Sequence, residues 1–387
     1  MIELAPTDKC SGCMACAAVC PANAISIRMD TLGNALPELH PELCVCCGKC
    51  RRVCPELSPI PAVLSASAYA VWSLDPHNRS SSSSGGAAAE FYAAALAKGA
   101  WICGAEYTQD LRVVHTLRRE PSAIRDYKQS KYVYSETGDI YRQIKEKLDA
   151  GEQVLMISLP CKIAGLLGYL GRPYEGLVTV DIVCHGTPPQ QMLREHIAQN
   201  CPELPQAQLS FRQDNEFIFK LNADGKQVYR KIGRTDPYLA AFLEGLSYRE
   251  ACYHCSFAKQ ERISDLTICD FWGLGRELPF EHPYTGSISA VLVNTPKGQS
   301  FFDGMRKALF VEERPVSEAV NGNAQLRNPT NRHPDRDRFE SLYRSKGFDG
   351  AVRELLRKEM RAARWSLLQR RLRSGLRSFV KSLIKHH

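Results

Sequence analysis

Two cysteine runs constrain this chain more than any other feature. Cys10-Ser-Gly-Cys13-Met-Ala-Cys16-Ala-Ala-Val-Cys20-Pro21 returns as Cys44-Val-Cys46-Cys47-Gly-Lys-Cys50-Arg-Arg-Val-Cys54-Pro55, each cysteine 34 positions after its counterpart. Both runs read C-x2-C-x2-C-x3-C-P, the bacterial-type spacing for a [4Fe-4S] cluster, here present twice. Thiolates are soft ligands suited to such clusters, and two-residue gaps let one tight loop aim three of them at one centre. In this arrangement the fourth cysteine of each run serves the other cluster. The expected sets are therefore Cys10, Cys13, Cys16 and Cys54 for one cluster, and Cys44, Cys47, Cys50 and Cys20 for the other.

The stretch resembles a two-cluster ferredoxin module. A zinc ribbon uses two C-x2-C pairs instead of a four-cysteine run, and a disulfide knot does not suit a chain without an export signal. Cys46 is surplus to the pattern and reads as a small loop residue. The start of the chain has no basic stretch and no apolar core of the signal-peptide kind, and no apolar run reaches the length of a membrane span. Sixteen cysteines in such a chain point to metal or redox use in a reducing cytoplasm. The length of 387 residues suits two or three domains.

Beyond the module, Ser58 to Ala62 reads as a Pro-rich linker. Arg79 to Gly86, rich in serine and closed by two glycines, reads by composition as a flexible linker. It leads, however, into an Ala-rich helix over 87–98 and a strand from Trp101, the order in which glycines let backbone approach phosphate at a helix N-terminus. The strands Gln153 to Ser158 and Leu177 to Val183, with a helix from Lys162 to Leu170 between them, predict a parallel βαβ unit. A hairpin at Asp224-Gly225 follows. Further expectations are a helix over 297–309, irregular chain over 328–338 and a helical end over 349–384 with a break at Gly375.

Cys161 and Cys184 each fall just past a predicted parallel strand, at the edge where open α/β sheets bind ligands. Cys252-Tyr-His-Cys255 is a C-x2-C loop. Together the four thiols can close a third iron–sulfur site, although small core cysteines or a zinc site fit the spacing as well. Cys103, Cys201 and Cys269 read as packing or surface residues, and Asp181 and Asp270 as structural groups bonded to nearby backbone.

Four motifs then carry a resemblance. Lys128-Gln-Ser-Lys-Tyr-Val-Tyr-Ser135, Leu159-Pro-Cys-Lys-Ile-Ala-Gly165, Val180-Asp-Ile-Val-Cys-His-Gly186, and Cys252-Tyr-His-Cys-Ser-Phe-Ala-Lys259 with Ser264-Asp-Leu-Thr-Ile-Cys-Asp-Phe-Trp-Gly273 resemble the coenzyme F420 hydrogenase/dehydrogenase beta-subunit family. The resemblance covers about Tyr69 to Ala308 and includes members that carry an N-terminal ferredoxin module. It implies an α/β flavin-binding domain behind a ferredoxin fold, a third [4Fe-4S] cluster on Cys161, Cys184, Cys252 and Cys255, and FAD. The FAD contacts it implies are Ser82, Ser83, Ser84, Gly85 and Gly86, with Ser130, Lys131 and Tyr132. Hydroxyls and glycine amides can cradle a pyrophosphate that Lys131 neutralises, whereas composition alone leaves Lys131 a surface lysine. Three positions depart from the family's pattern: Ser158-Leu-Pro-Cys161 where Gly-Thr-Pro-Cys is usual, Gln129 where Gly precedes Ser-Lys-Tyr, and Cys269 at a frequent Gly. His185 is a candidate proton donor to a reduced product, or simply a loop-ordering residue.

Of the 50 Lys and Arg, 11 fall from Arg353 onward against 2 of the 42 Asp and Glu, so the rest of the chain is nearly neutral. A basic nucleic-acid surface is therefore not expected. Trp365, Leu368, Leu372, Leu376, Phe379 and Leu383 recur at helical spacing among those cations. Such a helix can lie on an anionic membrane surface, dock on an acidic partner, or pack on its own domain. The expected organisation is a ferredoxin domain over 1–60, a FAD and iron–sulfur domain over 61–335, and a basic helical tail over 336–387. The function expected is an oxidoreductase that exchanges hydride with an organic substrate or an F420-like cofactor. It would be cytoplasmic, or peripheral to the inner face of the membrane, with a redox partner protein or small-molecule electron carrier. The alternatives are a non-catalytic electron-relay subunit and a protein whose clusters only hold the fold.

Overall fold

The computed structural model describes residues 2–202, 207–213 and 216–385, with side chains left undescribed at 207, 371 and 373–385. Thirteen strands are found there: β1 (Ile25–Met29), β2 (Ala35–Leu39), β3 (Ser67–Ser73), β4 (Trp101–Tyr107), β5 (Val113–Arg118), β6 (Val154–Ser158), β7 (Leu177–Ile182), β8 (Ala207–Gln213), β9 (Glu216–Ala223), β10 (Lys226–Ile232), β11 (Leu266–Asp270), β12 (Ser289–Val293) and β13 (Leu309–Arg314). They form an antiparallel β1–β2 hairpin, a three-stranded sheet of order β10-β9-β8, and an eight-stranded mixed sheet of order β13-β3-β12-β11-β7-β6-β4-β5. The fold is mixed α+β, with a ferredoxin-type N-terminal part and helices at the C-terminus.

The repeat in the sequence is a repeat in the backbone. Each cysteine run turns into a four-residue helix, Ala15–Ala18 and Lys49–Arg52, from a left-handed residue, Met14 at φ 64° and Gly48 at φ 70°. The residue two positions earlier is also left-handed in both copies, Gly12 at φ 69° and Cys46 at φ 51°. Cys46 thus occupies the backbone position that glycine fills in the first copy, where no Cβ penalty applies.

In the large sheet β4, β6, β7 and β11 run parallel, and β12, β3 and β13 continue antiparallel. The run Val154-Leu-Met-Ile-Ser158 is buried throughout, as a strand covered on both faces requires. The helix Pro160–Leu170 links β6 to β7 in parallel register, Ser158 beside Asp181, so the expected βαβ unit is present. So is the hairpin at Asp224 and Gly225, both left-handed.

Four expectations fail locally. Arg79 to Gly86 is not a free linker: the helix Pro76–Ser80 caps on Asp75, and Gly85 packs so closely on β3 that a Cβ would lie 2.3 Å from the Val71 carbonyl oxygen. The helix expected over 297–309 stops at Asp303, and Leu309 opens β13 because its side chain joins the core beside β3. Helix begins at Arg336, within the stretch expected to be irregular. The helical end breaks at Gly347 (φ 68°, ψ 177°), inside the stretch Arg336–Leu355, and again at Leu356 before the helix Arg357–Lys385, and not at Gly375.

The first half of the expected tail is core. Phe339, Phe348, Ala351, Val352, Leu356 and Met360 are buried with Phe211, Phe219 and Tyr238. At its centre His196 bridges Asp236 and Asp349, at 3.1 Å and 2.6 Å. Further on, Trp365, Leu368 and Leu372 are exposed, while the side chains of Leu376, Phe379 and Leu383 lie outside the described residues. No helix among the described residues is long and apolar enough to cross a membrane.

Candidate functional site

The thiols of the N-terminal module gather around two small cavities. One small cavity is lined by Cys20, Cys44, Cys47 and Cys50. A second is lined by Cys10, Cys13, Cys16 and Cys54, and Cys50 lines it as well. Electrostatics repeats the grouping. The Cys16 thiol is pushed up first by burial, then by Cys13, Cys10 and Cys54, and the Cys50 thiol by burial, then by Cys20 and Cys44. Such sets fit cubane clusters, whose iron would hold the thiols as thiolates. Cys46 is exposed and lines neither cavity.

Cys161 and Cys184 meet as their strands dictate. Cys161 lies in the first turn of the helix Pro160–Leu170, and Cys184 follows the end of β7. Cys252 lies in the short helix Glu250–Tyr253, just before Cys255. The Cys184 thiol is driven well above its ordinary range by burial, then by Cys252, Cys161 and Cys255. Burial also raises Cys161 to about 12, with Cys255 and Cys252 adding to it and Lys162 and Arg249 opposing. The four thiols are thus mutual neighbours. Among the described residues no three His, Cys, Asp or Glu side chains close on a single metal-ion position; thiols around a four-iron cube stand further apart than those around one ion.

One buried pair ties this group together. Arg262, 2% exposed, binds Asp181 Oδ1 through Nη2 at 2.7 Å, and its Nη1 donates to the carbonyls of Phe257 and Lys259 at 2.9 and 3.1 Å. The loop after Cys255 is thereby fixed to β7, three residues before Cys184. Asp181 is structural as expected, but its partners are the Arg262 and Ser264 side chains and not nearby backbone.

The N-terminal module docks beside these thiols. Gly12 O accepts from Tyr134 Oη and from the fully buried Lys162 Nζ, both at 2.7 Å, and Cys13 O accepts from Tyr141 Oη at 2.9 Å. A Cβ on Gly165 would lie 3.1 Å from Cys13 Sγ, and one on Gly168 2.5 Å from the Val53 carbonyl. The small residues of the helix Pro160–Leu170 therefore seat the loop holding Cys13.

Next to Cys184 opens a cavity of about 530 Å³. Its wall gathers segments far apart in sequence: Ser82, Ser83, Ser84 and Gly86; Lys128 to Val133; and Cys184 to Thr187. Ser130 N donates to Ser83 Oγ at 2.7 Å, and Lys128 Nζ to Ser81 Oγ at 2.9 Å, so the serine loop and the Ser-Lys-Tyr segment form one surface. Gly86, at φ 91°, starts the helix Ala87–Ala97, whose N-terminal residues face the cavity. Gly85 does not line it; its amide donates to Ser289 Oγ at 3.0 Å. Burial lowers Lys131 to about 8, against Glu106 and Asp126, and its ammonium donates to the Lys128 carbonyl at 2.9 Å. Tyr132 stacks on Phe242 at 4.4 Å. Hydroxyls, a helix N-terminus and two lysines suit a pyrophosphate, and the apolar remainder suits a ring system.

Residues 151–319 match the model for the C terminus of the coenzyme F420 hydrogenase/dehydrogenase beta chain. Residues 9–57 match the 4Fe-4S dicluster domain. Over these two spans the chain is similar to an iron–sulfur dicluster domain and to the C terminus of the F420 hydrogenase/dehydrogenase beta subunit. A xenon-derivatised structure of the F420-reducing [NiFe] hydrogenase complex from Methanosarcina barkeri contains a similar chain, with 14% identity over 76% of this chain and 91% of that one, at a TM-score of 0.43. No curated protein matches.

The positions that depart from the resembled pattern have visible backbone or hydroxyl roles. Gln129 is left-handed at φ 67°, which explains a usual glycine. Ser158 supplies a hydroxyl next to the site after all, with its Oγ 2.7 Å from His115 Nε2. His115 is buried and lowered to about 4, first by burial and then by Lys162, so it is neutral at ordinary pH. His185 lies exposed at the cavity wall, and its carbonyl accepts from Thr330 Oγ1 at 2.6 Å. Cys269 also lines the cavity, unlike the buried Cys103. Sequence reasoning missed His115, Lys128 and Arg212 as wall residues. Lys128 sits inside a recognised motif, whereas His115 and Arg212 sit on strands where no pattern distinguishes them.

Proposed function

We propose that the chain is an iron–sulfur flavoprotein oxidoreductase of the F420 hydrogenase/dehydrogenase beta-subunit type, acting on an organic substrate or a deazaflavin-type cofactor. The observation that carries this reading is the adjacency of three features: the Cys10/Cys13/Cys16/Cys54 site, the Cys161/Cys184/Cys252/Cys255 group, and the cavity walled by Cys184 and the serine loop. Cys13 packs against the helix Pro160–Leu170 that carries Cys161, which sets the first site beside the second.

In this reading the four thiols at 161–255 hold a third [4Fe-4S] cluster. Ser82, Ser83, Ser84, Gly86, Ser130 and Lys131 hold the pyrophosphate of FAD, and Tyr132 and Phe242 border its rings. When bound, FAD exchanges single electrons with iron–sulfur clusters and an electron pair with the substrate. The chain's part is to align the sites, to exclude water around Cys184 through Tyr248 and Leu159, and to present His185 at the wall as a hydrogen-bonding group. The module over 1–60 is the electron port, 61–335 the redox domain, and 336–387 the helical end. In this reading the protein acts in a reducing cytoplasm with a redox partner protein or a small-molecule electron carrier.

Anaerobically purified protein tests the reading. About twelve iron and one FAD per chain are expected, four iron for each cubane cluster. Eight iron with no flavin would remove both the third cluster and the flavin.

A further inference from the structure

One stretch of the cavity wall holds a buried cation with two of its three nitrogens unpartnered. Arg212, near the end of β8, is 5% exposed and lines the cavity with Asp270, Trp272 and Phe217. Its Nη1 lies 3.1 Å from Asp270 Oδ2 and 3.5 Å from Tyr132 Oη. Its Nε and Nη2 have no hydrogen-bond partner among the described residues, nor has Asp270 Oδ1. Leaving charged donors buried and unpaired is costly, so a site of this kind is built to be completed by something else.

The geometry specifies what completes it. Nε and Nη2 form one edge of the guanidinium, two parallel N–H donors that match the two oxygens of a carboxylate or phosphate. Asp270 occupies the other side of the fork and fixes its plane. The Arg212 Cζ lies 4.6 Å from the Phe217 ring centroid and 5.6 Å from that of Trp272. Trp272 is 45% exposed, leaving an open aromatic face beside the cation. Asp270 offsets part of the guanidinium charge through Nη1, so what holds an anion at the free edge is the pair of unpartnered N–H donors, while Asp270 Oδ1 remains to accept from a hydroxyl or N–H.

We infer that Arg212 and Asp270 bind the oxyanion of the organic redox substrate, a carboxylate or phosphate ester on a flat body with a neighbouring hydroxyl or N–H. This rests on the reading of the cavity as the redox site.

The test uses the full chain, anaerobically loaded, titrated with 4-hydroxybenzoate, inorganic phosphate and the neutral 4-hydroxybenzamide. Tryptophan fluorescence reports binding whether or not flavin is present, and FAD and iron are counted in parallel. At least one of the two anions is expected to bind, and to bind at least tenfold more tightly than the amide; which of them does so separates a carboxylate site from a phosphate site. Arg212→Gln is expected to weaken that anion at least tenfold with FAD and iron unchanged. Arg212→Lys keeps the charge without the paired donors and should fall between; it carries the test if Arg212→Gln does not fold. Binding of neither anion, equal binding of the amide, or wild-type binding by Arg212→Gln would each overturn the assignment. So would loss of FAD in step with the substitution, which would make Arg212 a flavin contact. If the wild-type chain holds no FAD yet binds an anion through Arg212, the oxyanion site stands and the oxidoreductase reading falls.

Discussion

The thiols at 10–54 and those at 161–255 belong to one molecule but are held by different means. In the first group, loop spacing and left-handed residues before each short helix aim the sulfurs, and little else is needed. In the second, two sulfurs follow neighbouring parallel strands and two come from a distant loop, joined by the Asp181–Arg262 pair. The first group depends on local chain geometry and the second on the integrity of the sheet. A perturbation of the sheet should therefore reach the second group first, and the Cys13 loop only through the helix Pro160–Leu170 on which it is seated.

The largest effects come from the thiols themselves. Cys54→Ser should abolish the cluster of the Cys10 run and leave that of the Cys44 run, read as a loss of about four iron with one cluster signal remaining. If the Cys44 run loses its cluster instead, the crossing is wrong. Cys252→Ser should remove about four iron and leave both N-terminal signals intact; unchanged iron would end its ligand role.

Next comes the pair that joins the second group. Arg262→Met leaves Asp181 buried without its cation, which costs about 3–5 kcal/mol. The thermal midpoint should fall steeply, and whatever folded protein remains should show the N-terminal cluster signals but not the third. Retention of all three would show that the loop after Cys255 is held by something else.

A control of intermediate size lies far from either thiol group. Burial alone would lower His196, but Asp236 and Asp349 outweigh it and raise the imidazole to about 9. The folded value lies above the ordinary one, so this contribution is complete below about pH 6.5 and disappears as pH rises through about 9. Its size is on the order of 2–3 kcal/mol. Thermal midpoints should drop between about pH 6 and about pH 10 in the wild type and less in His196→Gln, with iron content equal in both at each pH. An equal drop in the variant would remove His196 as the source.

The smallest effect sharpens the role of Cys46. Cys46→Gly should keep both clusters and stabilise the chain by up to about 1 kcal/mol, because a left-handed residue with a Cβ is replaced by one without. Loss of iron would mean that the extra thiol is a ligand.

How much was legible varies with sequence distance. The cysteine runs, the βαβ unit and the Asp224-Gly225 hairpin were readable because a few adjacent residues decide them. The end of helix at Asp303 and the start of β13 at Leu309 were not, since the neighbouring strand β3 overrides local helical pattern there. The core role of Phe339 to Met360 was hidden under a basic composition that marks only the later part of that segment.

For the candidate site the division is sharper. The sequence alone pointed to which thiols could serve as ligands and to a crossed pairing of the two runs, because ligand spacing is a property of short loops. Only the tertiary structure decided that the serine loop, Lys128 to Val133 and Cys184 share one cavity, and that Arg212 faces it with donors unused. Those residues meet through hydrogen bonds such as Ser130 to Ser83 and through the packing of strands far apart in the chain, and no local pattern encodes a contact whose energy exists only once the sheet has formed.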